Sequence, residues 1–361
     1  MNLWTISLKS IRHYWRTHLG VWLGLVLSAA VLTGAVLVGD SVRYTLNRMA
    51  LNRIGDAHFA LLGHDRFFRS ALADAIATDL KAPAAPIILI EGSISVAGGG
   101  GKRANHAQVL GIDSNFWSVA NLDAQPEIKE DTAWLNQHTA DYLNLKQGDR
   151  ILVRFEKPSA LPRDAPLSED EDLTLALRFE VAGIFNDDSI GRFSLQANQI
   201  PPFNVFLPMD ALQKPLERPG GANLILIGQN EPESLTADDV QDVINRNWQL
   251  KDAELSLVQV PEQPFWELRT DRIFIDEPIE KAVLADNREA LPILTYFVNE
   301  FKVGEATTPY SMITAWPAPL WDGEADGMDI NTWLADDLKA KPGDEISIKY
   351  YIMGPKRTPI E

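Results

Sequence analysis

The longest apolar stretch of the chain is residues 19–39 (LGVWLGLVLSAAVLTGAVLVG), 21 positions without a charged side chain. A helix rises ~1.5 Å per residue, so this stretch reaches ~32 Å and matches the ~30 Å hydrocarbon core of a bilayer. It is expected to be a transmembrane helix. A cleaved signal peptide has an apolar region of only ~7–15 residues followed by a small-x-small site. Thr33-Gly34-Ala35 offers a weak site of that kind, but apolar residues continue through Val36-Leu37-Val38, and the basic segment before the run is long. The pattern favours an anchor that stays in the membrane. Residues 1–18 read as an interfacial helix: Trp4, Leu8, Ile11 and Trp15 fall at i, i+4, i+7 and i+11, one apolar stripe. Lys9, Arg12 and Arg16 lie beside it, so Trp4, Lys9, Arg12, Trp15 and Arg16 are the expected membrane-interface anchors. Inside the span, Gly20, Gly24 and Ser28 recur every four residues. That spacing lets a second helix approach closely, although small residues are also common in spans that make no such contact.

Beyond residue 40 the pattern breaks into short elements. Alternating or wholly apolar runs of strand length occur at 58–62, 86–96, 106–112, 151–155, 175–185, 204–207, 223–227 and 254–260, with helix-like stretches at 66–80 and 237–248. These predict an α+β body with a strand–helix–strand unit at each end of a first module, 58–96 and 223–260. No later apolar run approaches the length of a span, so the chain as read crosses the membrane once.

The body repeats itself. Residues 136–155 (NQHTADYLNLKQGDRILVRF) align with 331–350 (NTWLADDLKAKPGDEISIKY) at a constant offset of 195, with eight of twenty positions identical. Each copy reads as a short helix, a Gly-Asp turn and an alternating strand. The turn glycines are expected to need positive φ. Earlier, Asp65-Arg66 and Phe68 match Asp271-Arg272 and Phe274, and Pro86-Ile87 match Pro292-Ile293, at an offset of 206. The second copy is thus shortened by 11 residues. It stops just after its strand, which gives the expectation that the chain is the N-terminal part of something longer. The expected organisation is an interfacial helix (1–18), a transmembrane helix (19–39), a first module (40–265) and a shortened, incomplete second repeat (266–361).

Charge sharpens the picture. Residues 1–56 hold six basic side chains against two acidic ones, and the remainder holds 27 against 48, which leaves the 361-residue chain at −17. A basic end on an acidic body suits anionic lipid at one end and water at the other. The acidic body excludes nucleic acid as the main partner, because phosphates require stripes of Lys and Arg. With no cysteine, disulfides, thiolate metal sites and cysteine nucleophiles are excluded.

Four features together resemble ABC-transporter permeases of the MacB/FtsX-like type and their MacB-like periplasmic core domain. They are the basic amphipathic start running into the span, the LKQGDRILVRF turn and strand, FEVAGIF at 179–185, and NVFLPMDAL at 204–212, across about residues 1–260. The resemblance implies a two-lobed far-side domain, one lobe from 57–96 plus 222–260 and the other from the insertion between them. It also implies a permease subunit that forms a homodimer or pseudo-dimer with another permease and binds a cytoplasmic ABC ATPase subunit. ATP and Mg²⁺ would sit on that partner, with no cofactor in this chain. The setting implied is a bacterial inner membrane, with the N-terminus cytoplasmic and the bulk of the chain periplasmic. Two departures are plain. The further spans of the family, which carry its coupling loop, are not in this sequence, and the shortened second copy is atypical.

The remaining motifs point away from catalysis in this chain. The glycine run 98–101 precedes Lys102, but a phosphate-binding loop needs a hydroxyl residue where Arg103 stands and a glycine where Val96 stands. The histidines His13, His18, His58, His64, His106 and His138 form no close-spaced ligand pair, although His58 and His64 could meet after folding. Glu169-Asp170-Glu171-Asp172 lacks the spacing of a calcium loop, and Asp187-Asp188 has no companion base or nucleophile. No enzymatic activity is expected. The competing reading is a membrane-tethered binding or scaffold protein that couples to no ATPase.

Overall fold

The structure is a computed structural model that describes residues 3–98, 101–120, 122, 126, 128–157, 174–186, 190–196, 200–231, 234–262, 264–272, 274–287, 289–316, 327–353 and 359–360. The chain divides into two compact units, Met1–Glu156 with Thr174–Gln249, and Lys157–Leu173 with Leu250–Glu361.

The first unit begins with helices α1 (Leu3–His13) and α2 (Trp15–Ile54). Then follow β1 (Ala57–Leu62), β2 (Phe68–Arg69), α3 (Ala71–Leu80), β3 (Ala84–Val96), β4 (Arg103–Ile112) and α4 (Phe116–Ala120). The chain continues through β5 (Thr132–Asn136), α5 (Gln137–Leu143), β6 (Arg150–Glu156), β7 (Thr174–Phe185), β8 (Asn204–Pro208) and α6 (Met209–Gln213). It closes with β9 (Gly221–Ala222), β10 (Leu224–Gly228) and α7 (Ala237–Asn247).

Eight strands form one sheet in the order β1-β10-β3-β4-β8-β5-β7-β6, and β6 returns to pair with β3. Six strands therefore close into a ring, from which β10 and β1 branch. The long strand β3 serves both parts: residues 84–87 pair with β10, and residues 92–96 pair with β6. Gly92 stands where β6 joins, and a Cβ there would lie 2.5 Å from Arg154 O, so only glycine fits the close approach.

Ile94, Val109, Leu135, Val153, Val181 and Val205 lie in one buried cluster built from all six ring strands. On β10, Leu224 and Leu226 belong to an aromatic cluster, while Ile225 and Ile227 belong to the cluster that holds Leu72 and Ile76 of α3 and Val243 of α7. Burial on both faces explains why LILIG is apolar without alternation.

The first lobe differs from the sequence reading at two places. The helix expected over 66–80 starts at Ala71, because Phe68 and Arg69 pair instead with Ala222 and Gly221. The strand expected at 254–260 belongs to the second unit.

Asp113, half-buried after β4, has its carboxyl held above the usual carboxylate range, first by burial and then by the charge of Asp74. Its raised folded value means the folded state binds the proton more tightly, so the ionised group costs stability at neutral pH and the cost vanishes as pH falls through that value. Asp74→Asn removes the repulsion and keeps an acceptor for Asn115 Nδ2. It is expected to raise the melting temperature by a few degrees at pH 7 and leave it unchanged at pH 3, read by thermal unfolding at both values.

In the second unit, β11 (Leu255–Gln259) pairs with β12 (Trp266–Thr270), followed by α8 (Glu277–Asp286). A hairpin of β13 (Leu294–Val303) and β14 (Ala306–Ala315), then α9 (Thr332–Leu338), leads to β15 (Ser347–Lys349), which pairs with β13. The same succession occurs in the first unit, where the β3–β4 hairpin and α5 lead to β6 on β3.

Local geometry recurs at the aligned positions. Asn136 and Asn331 cap their helices, and Asn144 and Lys339 end them in the left-handed conformation, both at φ 55°. Asp149 and Asp344 each accept from a lysine N–H at 2.7 Å. The turn glycines Gly148 and Gly343 have φ of 89° and 94°.

Candidate functional site: the membrane helix and its docking point

α1 carries Trp4, Lys9 and Arg12 exposed along its length. The expected interfacial helix does not run to residue 18. Tyr14 takes φ −102° and ψ 26°, outside the helical range, and the chain restarts as α2 at Trp15. Trp15 and Arg16 therefore sit on the first turn of the long helix, with the Arg16 guanidinium 5.6 Å from the Trp15 ring centroid. A cation over an indole face is an arrangement compatible with a lipid headgroup region.

α2 is one unbroken helix of 40 residues, ~60 Å long, twice the hydrocarbon thickness. Among the described residues it is the one helix long and apolar enough to cross a membrane, over Trp15–Thr45, and none of its most apolar window is buried. Gly20, Gly24 and Ser28 all lie on it and are exposed, and nothing stands within 4 Å of where a Cβ of Gly20 or Gly24 would be. The open face offers room for another helix.

The far end of α2 is fixed to the domain. Gly55 stops the helix at φ 62° and ψ −136°, a conformation open essentially to glycine alone. A Cβ on Gly55 would lie 2.6 Å from Val119 O and 3.0 Å from Ala120 Cα. This tight approach lets the Asp56 N–H donate to Val119 O at 2.8 Å, while His58 Nδ1 hydrogen-bonds Asp56 O at 2.8 Å. Ile54 is half-buried against the aromatic cluster of Phe116, Trp117, Phe185, Phe193 and Phe206. The rings interlock edge to face: Phe185 and Phe206 have centroids 5.2 Å apart at 86°, and Phe116 and Phe193 lie 6.4 Å apart at 80°. The 3-10 turn Ile190–Arg192 packs against the helix end. Packed rings and a backbone hydrogen bond thus join the end of α2 to α4, β7 and β8.

The sequence reading missed this junction. Its local signals are Gly55-Asp56 before the first strand and the Phe116-Trp117 pair, but the partners that give them meaning are more than 60 residues away.

The histidines are dispersed. His58 bonds Asp56 O, His106 bonds Glu91, His138 stacks on Phe203 and His13 lies edge-on to Tyr14. Among the described residues no group of three or more histidine, aspartate or glutamate side chains could hold a metal ion. The acidic run 169–172, Asp187-Asp188 and the centre of the glycine run at 99–100 lie outside the described residues.

Among the described residues one apolar helix leads without a break into a closed α+β body, an arrangement that fits a membrane protein with a domain outside the lipid. Residues 21–245 match the family model of the MacB-like periplasmic core domain, a match that takes in the span and nearly all of the first unit. The chain belongs to that family, and is of the MacB/FtsX-like ABC transporter permease type: a transporter component, from a family that works with an ATPase partner. Similar solved structures include the periplasmic region of MacB from Actinobacillus actinomycetemcomitans, 11% identical, with a TM-score of 0.36 over 64% of this chain and 95% of that one. The extracellular domain of the noncanonic ABC-type transporter YknZ from Gram-positive bacteria is 9% identical, with a TM-score of 0.31 over 53% of this chain and 85% of that one. No curated protein matches the sequence.

Proposed function

We propose that this chain is the membrane subunit of an ABC transporter in a bacterial inner membrane, with its N-terminus cytoplasmic and its body periplasmic. A partner ATPase subunit hydrolyses ATP with Mg²⁺, and this chain, which is not an enzyme and holds no cofactor of its own, passes the resulting motion outward. The observation that carries the reading is the unbroken helix α2 locked at Gly55 to the aromatic cluster. A flexible tether would need no such lock, which argues against the scaffold alternative. Trp4, Lys9, Arg12, Trp15 and Arg16 hold the helix pair at the inner lipid surface, and Gly20, Gly24 and Ser28 face a second permease copy.

The test is affinity purification of the full chain from detergent-solubilised membranes of its own host. The expected result is a stoichiometric ABC ATPase subunit whose ATP hydrolysis falls at least several-fold when the clamp is broken by Gly55→Val. A chain that purifies without an ATPase, or extracts with alkaline carbonate in the absence of detergent, overturns the proposal.

A further inference from the structure

In the ring of the first unit β3 lies between β4 and β6, with Arg103 opposite Ser95 and Arg154 opposite Ser93. Ile94, Ala104, Val153 and Phe179 belong to the buried cluster, so alternation puts Ser93, Ser95, Arg103, Arg154 and Arg178 on the outer face. The two arginines reach over β3 in opposite senses, each to the serine diagonal to it. Arg103 Nη2 donates to Ser93 Oγ at 2.7 Å, and Arg154 Nη1 donates to Ser95 Oγ at 3.2 Å. Two guanidinium groups therefore converge on two hydroxyls. Arg178, exposed, stands one strand further, opposite Leu152 of β6.

Among the described residues none of these three guanidinium groups meets a carboxylate. The acidic side chains on the same face are Glu91, which bonds His106, Glu180, which stands opposite Arg150, and Glu156 at the end of β6. Each guanidinium has five N–H donors and spends one of them on a serine. Each serine oxygen accepts, while its own hydrogen has no acceptor among the described residues. Ser93 is only 5% exposed, so water is a poor substitute for that acceptor.

The second unit fills the same positions differently. β15 pairs with β13 as β6 pairs with β3, and there Lys349 stands opposite Glu300, where Arg154 stands opposite Ser93. Lys302 occupies the place of Ser95, and Thr307 that of Arg103. One copy sets a carboxylate across from its cation. The other sets a hydroxyl there and adds a second cation, which leaves the balancing anion to come from outside.

We infer that the outer face of the ring holds a phosphate-binding site made of Arg103, Arg154, Ser93 and Ser95, with Arg178 at its margin. Its ligand is a phosphate group, either the free ion or the headgroup of a lipid. The two planar guanidinium forks take its oxygens in charge-assisted hydrogen bonds, and the serine hydroxyls donate to it while they accept from the arginines. A tetrahedral oxyanion has oxygens enough for all four groups.

The probe is inorganic phosphate, titrated by isothermal calorimetry into the full chain in maltoside micelles at pH 7 and low salt. Saturable binding is expected. A charged hydrogen bond is worth about tenfold in affinity, so Arg103→Gln and Arg154→Gln each weaken binding by about that factor. Ser93→Glu, which introduces the carboxylate of the second unit, abolishes binding. Arg103→Gln, at an exposed position, keeps the test valid should Ser93→Glu fail to fold. Arg269→Gln, whose guanidinium already pairs with Glu267, leaves binding unchanged. Adding phosphatidylglycerol to the micelles separates the sources, with diacylglycerol, which lacks the phosphate, as control. Competition supports the site with a lipid headgroup as its ligand, and saturable binding without competition supports it with the free ion. Absence of saturable phosphate binding, binding unchanged in both arginine variants, or glutamate binding as tightly as phosphate overturns the proposal. The last result would mark a surface for an acidic polypeptide instead. None of these outcomes bears on ATPase association, so this site and the transporter reading succeed or fail separately.

Discussion

Replacing Gly55 with valine is expected to lower the melting temperature of the first unit by roughly 10 °C. Holding a non-glycine residue near φ 62° and ψ −136° costs ~1–3 kcal/mol. The new Cβ also meets Val119 O at 2.6 Å, so the Asp56 N–H to Val119 O hydrogen bond must lengthen or break, a further ~1 kcal/mol. A total of ~3 kcal/mol in a unit of this size corresponds to ~2–4 °C per kcal/mol. The control is Gly98→Val: Gly98 also has a positive φ, 119°, but nothing lies within 4 Å of its Cβ position, so only the conformational part is lost. The measurement is intrinsic-fluorescence melting in detergent. Equal shifts for the two variants would mean that the helix end is not clamped.

The second large effect is expected for Phe206→Ala. Phe206 is fully buried and touches rings on two other elements, with centroids 6.0 Å from Phe116 and 5.2 Å from Phe185. Truncating such a ring loses its transfer energy and leaves a cavity, together ~3–5 kcal/mol. By contrast Phe265→Ala, half-exposed in the second unit, should stay within ~0.5 kcal/mol. Urea unfolding of both variants measures the difference through the shift in midpoint. Because Ile54 rests on the same cluster, Ile54→Ala combined with Phe206→Ala should cost less than the sum of the two single changes.

Local signals carried much of the fold. The uncharged run at 19–39 lies within α2, alternation placed β6 and most of β7, and the Gly-Asp turns placed Gly148 and Gly343 at positive φ. What stayed hidden depends on partners distant in sequence. The sequence pattern marks no strand at Thr132–Asn136, and it forms one because Trp134 and Leu135 pair with Phe206 and Val205. Gly183 in FEVAGIF looks like an ordinary strand glycine, but its missing side chain leaves space for the Trp134 ring, which would lie 2.3 Å from a Cβ. Phe68 and Arg69 have helix-compatible neighbours, yet pairing across to Gly221 and Ala222 draws them into a strand. The break at Tyr14 has no proline or glycine to mark it. The site followed the same division: the residues expected at the membrane interface are picked out by charge and periodicity alone, whereas the Gly55 clamp exists only once Val119 is brought beside it.

The central claim is that α2 lies in lipid and holds the body on the far side of the membrane. The absence of cysteine makes it directly testable, since any introduced thiol is the only one in the chain. Single-cysteine variants Ser10→Cys on α1 and Ser256→Cys on β11 would be exposed to a membrane-impermeant maleimide in right-side-out vesicles. The account predicts labelling of Ser256→Cys alone, with Ser10→Cys reacting only after the vesicles are opened. Labelling of Ser10→Cys in sealed vesicles, or recovery of the Ser256→Cys body in the soluble fraction with a new amino terminus near Ala35, would contradict it.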